Sequence, residues 1–267
     1  MQIFEKKLKP SWRLGSKIII LPILTWLLIS ILLRVFSNQI IFHPQISKKF
    51  NYHNIKSPYT TIFLKDGKIN IETVFIRNKE SKKLLIYFTG NSGRLDYIIN
   101  SLSKEYNILS PAYPGFHKSF GKHSQEGVIN TADIIFKYAL DQKYKIEDIY
   151  VLGHSLGGFP ALYSYYRYQP KKTIIVNSFD NIYNMCRQRY LIFCIFAHDI
   201  FNSKSLGNNQ IYSSTIYQFH NRNDMVVPFS RGEALFSLIK SNNKKFFEIS
   251  GNHAYFDVNY VLQKTDQ

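Results

Sequence analysis

Three residues in the second half of the chain have side chains that could together perform nucleophilic catalysis. Ser155 is the central residue of the run Gly-His-Ser-Leu-Gly at 153–157, directly after the apolar run 149–152. A serine hydroxyl is a weak nucleophile at neutral pH, so it needs a sharp turn that exposes Oγ and a base that takes its proton. The flanking glycines permit such a turn between a strand and a helix. The pattern therefore predicts that Ser155 is a nucleophile.

A candidate acid and then a candidate base follow Ser155 along the chain. Asp224 lies in a turn-rich loop after the strand-like run 214–219, and His253 lies in the loop Ser-Gly-Asn-His after the strand-like run 245–249. Catalytic groups in open parallel sheets lie at the carboxyl ends of strands, and all three candidates satisfy that rule. We expect His253 to act as the general base and Asp224 to orient its imidazole.

Other residues compete for these roles. Asp180 also follows a strand-like run and is the alternative acid. His154 is interpreted as a packing residue, because the neighbours of a nucleophile on a tight turn point away from the site. His117 could line the pocket from the loop after the fourth strand. Ser155 itself could be an unreactive turn serine, but the presence of two matching partners argues against that alternative.

The elements that must position these residues alternate between strands and helices. The runs 59–64 and 69–76 flank a Lys-Asp-Gly turn and predict an antiparallel hairpin at a sheet edge. Further strands, mostly parallel, are predicted at 84–88, 107–110, 149–152, 173–177, 214–219 and 245–249. The spacing of apolar residues predicts helices at 93–104, 125–142, 156–168 and 230–241. This alternation predicts an α/β fold with a doubly wound, mostly parallel sheet.

These motifs resemble those of the α/β-hydrolase superfamily. The resemblance rests on Gly-His-Ser-Leu-Gly-Gly at 153–158, on the acid loop at 223–228 and on Gly-Asn-His at 251–253. The runs 84–93 and 110–119 are similar to two strand-end loops of small membrane-anchored serine hydrolases, the alpha/beta-hydrolase domain-containing group. The resemblance extends over most of the chain after the predicted edge hairpin begins.

The resemblance implies a mechanism that needs neither a metal ion nor an organic cofactor. The oxyanion would be held by the backbone N–H groups of Leu156 and Asn91. Thr89 stands where the group usually has histidine, and Pro111 and Pro114 stand where it usually has aspartate and arginine. These departures leave the backbone N–H groups of the expected oxyanion site in place. They bear on which substrate is preferred.

The N-terminal segment is first basic and then apolar. Five basic residues precede an uncharged apolar run at 18–33, namely Lys6, Lys7, Lys9, Arg13 and Lys17. The run predicts an uncleaved signal anchor, a single-pass membrane helix, with a cleavable signal peptide and a core helix as the alternatives. The charge bias favours a cytoplasmic N-terminus, which would place the catalytic domain on the translocated side, in a periplasm or a lumen.

Three segments are therefore expected along the chain. Residues 1–36 would form the basic segment and the anchor, 37–58 a connecting segment, and 59–267 the α/β-hydrolase catalytic domain. Within that domain, 178–213 would form a short lid-like segment with an aromatic-rich run at 190–196. Apolar lid residues beside a membrane anchor suggest an acyl chain as the bound part of the substrate, although core packing explains these aromatics equally well.

The cysteine content and the net charge narrow the choice of cellular compartment and of binding partner. Cys186 and Cys194 are the only two cysteines, for which two free thiols are the commoner arrangement, while a disulfide would need an oxidising compartment. The net charge of +16 invites a nucleic-acid partner, but no nucleic-acid-binding module accompanies it. Compositional bias together with proximity to anionic lipid is the favoured interpretation.

Together these features predict a membrane-anchored serine hydrolase that cleaves a carboxylic ester or thioester through an acyl-serine intermediate. Its partners would be a small-molecule or acylated substrate and the membrane, without nucleic acid. A serine peptidase with the same triad and a catalytically silent binding or scaffold protein are the alternatives. The oligomeric state and the length of the acyl chain stay open.

Overall fold

An eight-stranded sheet forms the centre of the molecule, with the strand order β1-β2-β4-β3-β5-β6-β7-β8. The computed structural model describes residues 12–43, 52–93, 95–102, 104–190, 194, 200–207 and 210–266. The strands are β1 (Thr60–Asp66), β2 (Ile69–Ile76), β3 (Leu84–Phe88), β4 (Asn107–Pro111), β5 (Ile149–His154), β6 (Lys172–Val176), β7 (Thr215–Asn221) and β8 (Lys244–Ile249). β1, β2 and β4 pair antiparallel, and β4, β3 and β5 to β8 pair parallel.

Helices cover both faces of the sheet. They are α1 (Trp12–Val35), α2 (Ser37–Ile41), α3 (Asp96–Leu102), α4 (Gln125–Asp141), α5 (Gly158–Tyr168), α6 (Ile182–Tyr190), α7 (Phe229–Leu238) and α8 (Val258–Thr265). One core cluster joins the sheet to α4, α5 and α7, and a second joins the opposite face to α3 and α8. Alternate residues of β3 enter opposite clusters, because side chains on a strand alternate between faces.

The predicted α/β-hydrolase fold is confirmed. The antiparallel hairpin of β1 and β2 lies at the sheet edge, and the later strands begin and end within a few residues of the predicted positions. Three helices are additions to the predicted set: α2, in the predicted connecting segment, α6, inside the predicted lid, and α8, at the C-terminal end of the described chain. The division into three segments at 36 and 58 stays a prediction.

The N-terminal apolar run is helical and lies against the domain. α1 is followed by α2 and then by Phe42, whose ring is almost fully buried in the core cluster of α4 and α5. No helix in the described part of the chain combines the length and the apolar character needed to cross a membrane, so the predicted single-pass span is not supported. The basic residues Lys6, Lys7 and Lys9, on which the predicted orientation depends, lie outside the described residues.

The expectation of two free thiols is wrong, because Cys186 and Cys194 form a disulfide. Cys186 lies on α6, and the two Cα atoms are 5.8 Å apart, within the usual range for a disulfide. Cys194 is fully buried. Most of the aromatic-rich run at 190–196 lies outside the described residues, so its role as a lid stays a prediction.

Candidate active site

The three candidate residues follow the carboxyl ends of neighbouring parallel strands. Ser155 comes directly after β5, Asp224 follows β7, and His253 follows β8. β5, β6, β7 and β8 are consecutive in the sheet, so these ends open on one edge. The sheet therefore brings together residues that are up to 98 positions apart in the chain.

Ser155 occupies a tight turn between β5 and α5. Its φ is +55°, a conformation that costs free energy for a residue with a side chain and that occurs at functional turns. The turn requires glycine at position 157, because a Cβ on Gly157 would lie 2.1 Å from the carbonyl oxygen of Phe88. A Cβ on Gly153 would lie 2.2 Å from the carbonyl oxygen of Gly157. Only glycine allows these close approaches, so the motif is a structural requirement of the turn.

Ser155, His253 and Asp224 form a continuous hydrogen-bonded chain. His253 Nδ1 lies 2.7 Å from Asp224 Oδ2, and His253 Nε2 lies 2.9 Å from Ser155 Oγ. Because a carboxylate can only accept, Nδ1 carries the proton and Nε2 is free to accept the serine O–H. The alternative acid, Asp180, instead contacts the guanidinium of Arg231 at 3.4 Å. Of the two candidate acids, Asp224 is therefore the one bonded to His253.

Asp224 is buried, and its surroundings favour the ionised form. Its Oδ1 accepts the backbone N–H groups of Val226 and Val227 at 2.7 and 2.8 Å. Burial raises the pKa of Asp224, but the hydrogen bonds from His253 and from the two backbone groups outweigh burial and bring the pKa below its ordinary value. A carboxylate held in this way can stabilise a positive charge on His253.

His154, interpreted from the sequence as a packing residue, has a polar partner in the site. Its Nε2 donates to the backbone carbonyl of His253 at 2.7 Å, and its ring lies beside the His253 ring. Burial, followed by the proximity of His253, lowers the pKa of His154 to about 4. His154 is thus a neutral donor at neutral pH that ties the turn after β5 to the histidine loop.

Asn177 also holds the histidine loop, and sequence reasoning missed it. Its Nδ2 donates to the carbonyl of His253 at 3.1 Å, while its Oδ1 accepts the backbone N–H of Asn221 at 2.9 Å. Asn177 is fully buried and has φ +50°. The signal in the sequence was the position of an asparagine directly after a strand, where this residue tolerates the left-handed conformation.

Asn91 and Leu156, the expected oxyanion residues, lie at the same edge. Leu156 follows Ser155 in the turn, and Asn91 follows the end of β3, the strand beside β5. The Asn91 loop is tied to the segment after α2, because Asn91 Nδ2 donates to the Ile41 carbonyl at 3.2 Å and the His43 N–H donates to the Asn91 carbonyl at 3.3 Å. The role of their backbone N–H groups stays a prediction.

Two cavities reach Ser155 and His253. The larger one, of about 810 Å³, extends from these residues between the N-terminal helices and α6. Among the described residues that line it, the polar ones are Ser37, Asn91, Ser155 and His253. The smaller cavity, of about 90 Å³, is lined in part by Asn91, Asp96 and Tyr97. His117 lies apart from both, stacked on Tyr52 beside a separate small pocket.

Comparison with known proteins agrees with this architecture. The family model for the α/β hydrolase fold matches residues 83–185, a range that includes Asn91 and Ser155 and ends before Asp224 and His253. The fold of the whole sheet and the matched range together decide the assignment. The domain has the α/β-hydrolase fold. An esterase from Pyrococcus furiosus is similar in structure to this domain, with a TM-score of 0.64 and 15% identity over 81% of this chain and 92% of that chain.

Two proteins are similar to this chain in sequence. A membrane protein of Saccharomyces cerevisiae, uncharacterized in function, is 26% identical over 229 residues, which cover 78% of this chain and 81% of the yeast protein. A phosphatidylserine lipase of Macaca fascicularis is 28% identical over 126 residues, which cover 44% of this chain and 22% of the lipase. The first relative is similar along most of its length, whereas the second shares only a part.

Proposed function

We propose that this protein is a serine hydrolase that cleaves a carboxylic ester or thioester through an acyl intermediate on Ser155. The observation that carries the proposal is the hydrogen-bonded chain from Ser155 Oγ through His253 to Asp224, with distances of 2.9 and 2.7 Å. A base in contact with the nucleophile and a third group that orients the base are the geometric signature of an activated serine. The esterase and lipase among the similar proteins agree with ester chemistry.

The first half of the reaction transfers the acyl group to the enzyme. Ser155 Oγ attacks the substrate carbonyl carbon while His253 Nε2 takes the hydroxyl proton, and Asp224 stabilises the resulting imidazolium. The backbone N–H groups of Leu156 and Asn91 would hold the oxyanion of the tetrahedral intermediate. The intermediate then breaks its bond to the leaving alcohol or thiol, which takes the proton from His253 Nε2.

The second half of the reaction releases the acyl group. Water attacks the acyl carbonyl carbon and gives a proton to His253 Nε2. The bond between the acyl carbon and Ser155 Oγ breaks, and His253 returns that proton to Oγ. The products are a carboxylic acid and an alcohol or thiol, and the side chains of His253 and Ser155 are restored.

Two features weigh against the alternative functions. A silent scaffold would not need Ser155 to be accessible, yet the larger cavity opens onto Ser155 and His253. A peptidase would need polar groups that pair with the peptide backbone, whereas the described lining of that cavity away from the triad is mostly apolar. Ester or thioester cleavage is therefore the function that the site supports best.

We also propose that the protein associates with a membrane through the outer side of α1. Many apolar side chains of this helix are exposed: Ile20, Leu21, Ile23, Leu24, Ile31, Leu32 and Val35. Contiguous exposed apolar surface of this kind marks a binding surface. The similar yeast protein is named as a membrane protein. The disulfide of Cys186 is typical of an oxidising compartment and favours a translocated catalytic domain.

Ester turnover by the detergent-solubilised full chain tests the proposed function. The substrates are p-nitrophenyl acetate and p-nitrophenyl octanoate, and the thioester arm uses octanoyl-thiocholine. We expect wild type to hydrolyse at least one of them and Ser155→Ala to lose more than about 1,000-fold in kcat. Ser237→Ala, the same change at an exposed serine of α7, is the matched control and should keep wild-type turnover. Equal turnover by Ser155→Ala and wild type would overturn the proposal.

A further inference from the structure

The larger cavity is lined by two parts of the chain that are far apart in sequence, together with Ser155 and His253. α1 and α2 contribute one wall, through Ile29, Leu33 and Ile41, and α6 contributes the facing wall, through Ile182 and Met185. We propose that the N-terminal helices are a wall of an acyl-binding site and that this site takes the ester of a long acyl chain. The inference rests on the proposed function, because the carbonyl of this ester must reach Ser155.

The N-terminal wall is held in place by contacts with the domain. Phe42, directly after α2, is 1% exposed and makes edge contacts with the rings of Phe116 and Phe201. Two hydrogen bonds join Asn91 to Ile41 and His43 on either side of Phe42. Since Asn91 itself lines the cavity, the same loop that adjoins Ser155 fixes the end of the N-terminal wall.

One side of α1 faces the domain, and the opposite side is exposed. Ser30 is 1% exposed and Leu33, three residues later, is partly buried and lines the cavity. Leu28 is 57% exposed and is not among the residues that line the cavity. Residues three and four apart share a side of a helix, so Ser30 and Leu33 define the inner side. Leu33 and Leu28 therefore offer the same side chain on two sides of one helix.

The sizes and the lining residues of the two cavities suit the two parts of an ester. The larger cavity, at about 810 Å³, is in the size range of small-molecule sites and is mostly apolar along its described lining. The smaller cavity includes Asn91, Asp96 and Tyr97, whose polar groups suit an alcohol rather than a hydrocarbon. An acyl chain in the larger cavity leaves the alcohol oxygen at Ser155 on the side of the smaller one. Each methylene buried there would raise kcat/KM by up to about fourfold.

Chain-length selectivity of the detergent-solubilised full chain tests the inference. The measured quantity is kcat/KM for p-nitrophenyl esters with acyl chains of 2, 4, 8, 12 and 16 carbons. Leu33→Trp fills the cavity from α1, and Leu28→Trp is its matched control on the exposed side. Ile29→Trp, at a second lining position of α1, serves if Leu33→Trp fails to fold. Circular dichroism and the Tm establish that each variant is folded.

We expect the wild type to prefer chains of 8 or more carbons over the acetyl ester by at least tenfold. The ratio of long-chain to acetyl kcat/KM should fall at least tenfold in Leu33→Trp and stay within twofold of wild type in Leu28→Trp. An unchanged ratio in folded Leu33→Trp or Ile29→Trp, or a wild-type preference for the acetyl ester, would overturn the acyl-binding inference while ester turnover kept the proposed function. Failure of the proposed function would look different, with no turnover at any chain length.

Discussion

At Asp224, burial and hydrogen bonding act on the same carboxylate in opposite directions. Burial alone would raise its pKa, yet the contacts from His253, Val226 and Val227 lower it. Asp180 is also buried and follows a strand, but its carboxylate is contacted by Asn184 and Arg231 and not by His253. The two aspartates are thus a natural pair for separating a role in orienting His253 from a general need for a buried acid.

Replacing each aspartate by asparagine should separate these roles. Asp224→Asn keeps the size of the side chain but removes the charge that stabilises the imidazolium, so we expect kcat to fall by roughly 10³ to 10⁴. Asp180→Asn should change the kcat of the folded fraction by less than about threefold. The measurement is ester turnover normalised to the folded fraction. A larger loss for Asp180→Asn than for Asp224→Asn would reverse the assignment of the acid.

His154 makes the free energy of unfolding depend on pH. Its pKa is about 4 in the folded protein, below the ordinary value of 6.5, so the unfolded chain binds more protons between these pH values. Stability contributed by neutral His154 is present above pH 6.5 and is lost as the pH falls towards 4. The difference of 2.5 units sets an upper bound of about 3 kcal/mol on this loss.

The variant His154→Gln should flatten this pH dependence. Glutamine can still donate to the His253 carbonyl but does not titrate. We expect the free energy of unfolding of wild type to fall more between pH 7 and pH 4 than that of His154→Gln, by up to about 3 kcal/mol. Urea unfolding at a series of pH values measures both. Parallel curves for the two proteins would contradict the lowered pKa of His154 in the folded protein.

The sequence was sufficient to predict the triad candidates but not the contacts behind them. Ser155, Asp224 and His253 could be placed because each follows a strand-like run, and parallel strand ends meet at one edge. The hydrogen bonds from His154 and Asn177 to the His253 carbonyl depend on how the ends of β5, β6 and β8 are placed relative to one another. No local sequence pattern encodes that placement. The pairing of Cys186 with Cys194 likewise depends on a segment that periodicity did not resolve.

At the scale of elements, the attachment of α1 and α2 depends on the residue that follows them. Phe42 is 1% exposed among aromatic rings of the core, whereas Phe36, between the two helices, is 48% exposed. The apolar character of the N-terminal run predicts a helix. It does not predict which side of that helix packs on the domain, because the packing depends on the position of Phe42. This is why the sequence predicted the helix and not the wall of a cavity.

Alanine at these two phenylalanines should have unequal effects on stability. Phe42→Ala removes a buried ring and leaves a cavity, so we expect a loss of about 3 to 5 kcal/mol in the free energy of unfolding. Phe36→Ala, at an exposed ring in the same segment, should stay within about 0.5 kcal/mol of wild type. Chemical unfolding in mild detergent measures both variants. Similar losses for the two would contradict the docked position of Phe42.

The helices that were missed differ from those predicted in how they bury their apolar residues. α4 has buried residues spaced along much of its length, which the sequence shows as a helical period. α8 is short, with buried residues at Val258, Val261 and Leu262, and α6 is rich in polar residues. Short or polar helices have little periodic signal, so their positions depend on the surrounding fold.

At the scale of the whole molecule, the sheet explains why residues far apart in sequence meet. The pairing of the parallel strands fixes the order of their carboxyl ends, and the loops at that edge carry Ser155, Asp224 and His253. The N-terminal helices close the same edge from outside, with Asn91 as the link. The apolar cavity therefore lies between α1, whose other side is exposed, and the loops that carry Ser155 and His253.

Labelling with a fluorophosphonate probe is the most direct test of the central claim that Ser155 is an activated nucleophile. The probe is applied to the detergent-solubilised full chain, and mass spectrometry maps the adduct. We expect a single adduct on Ser155, lost in Ser155→Ala, strongly slowed in His253→Ala and retained in Ser237→Ala. Folded wild-type protein that takes up no probe, or that carries it on another serine, would contradict the account and favour a silent scaffold.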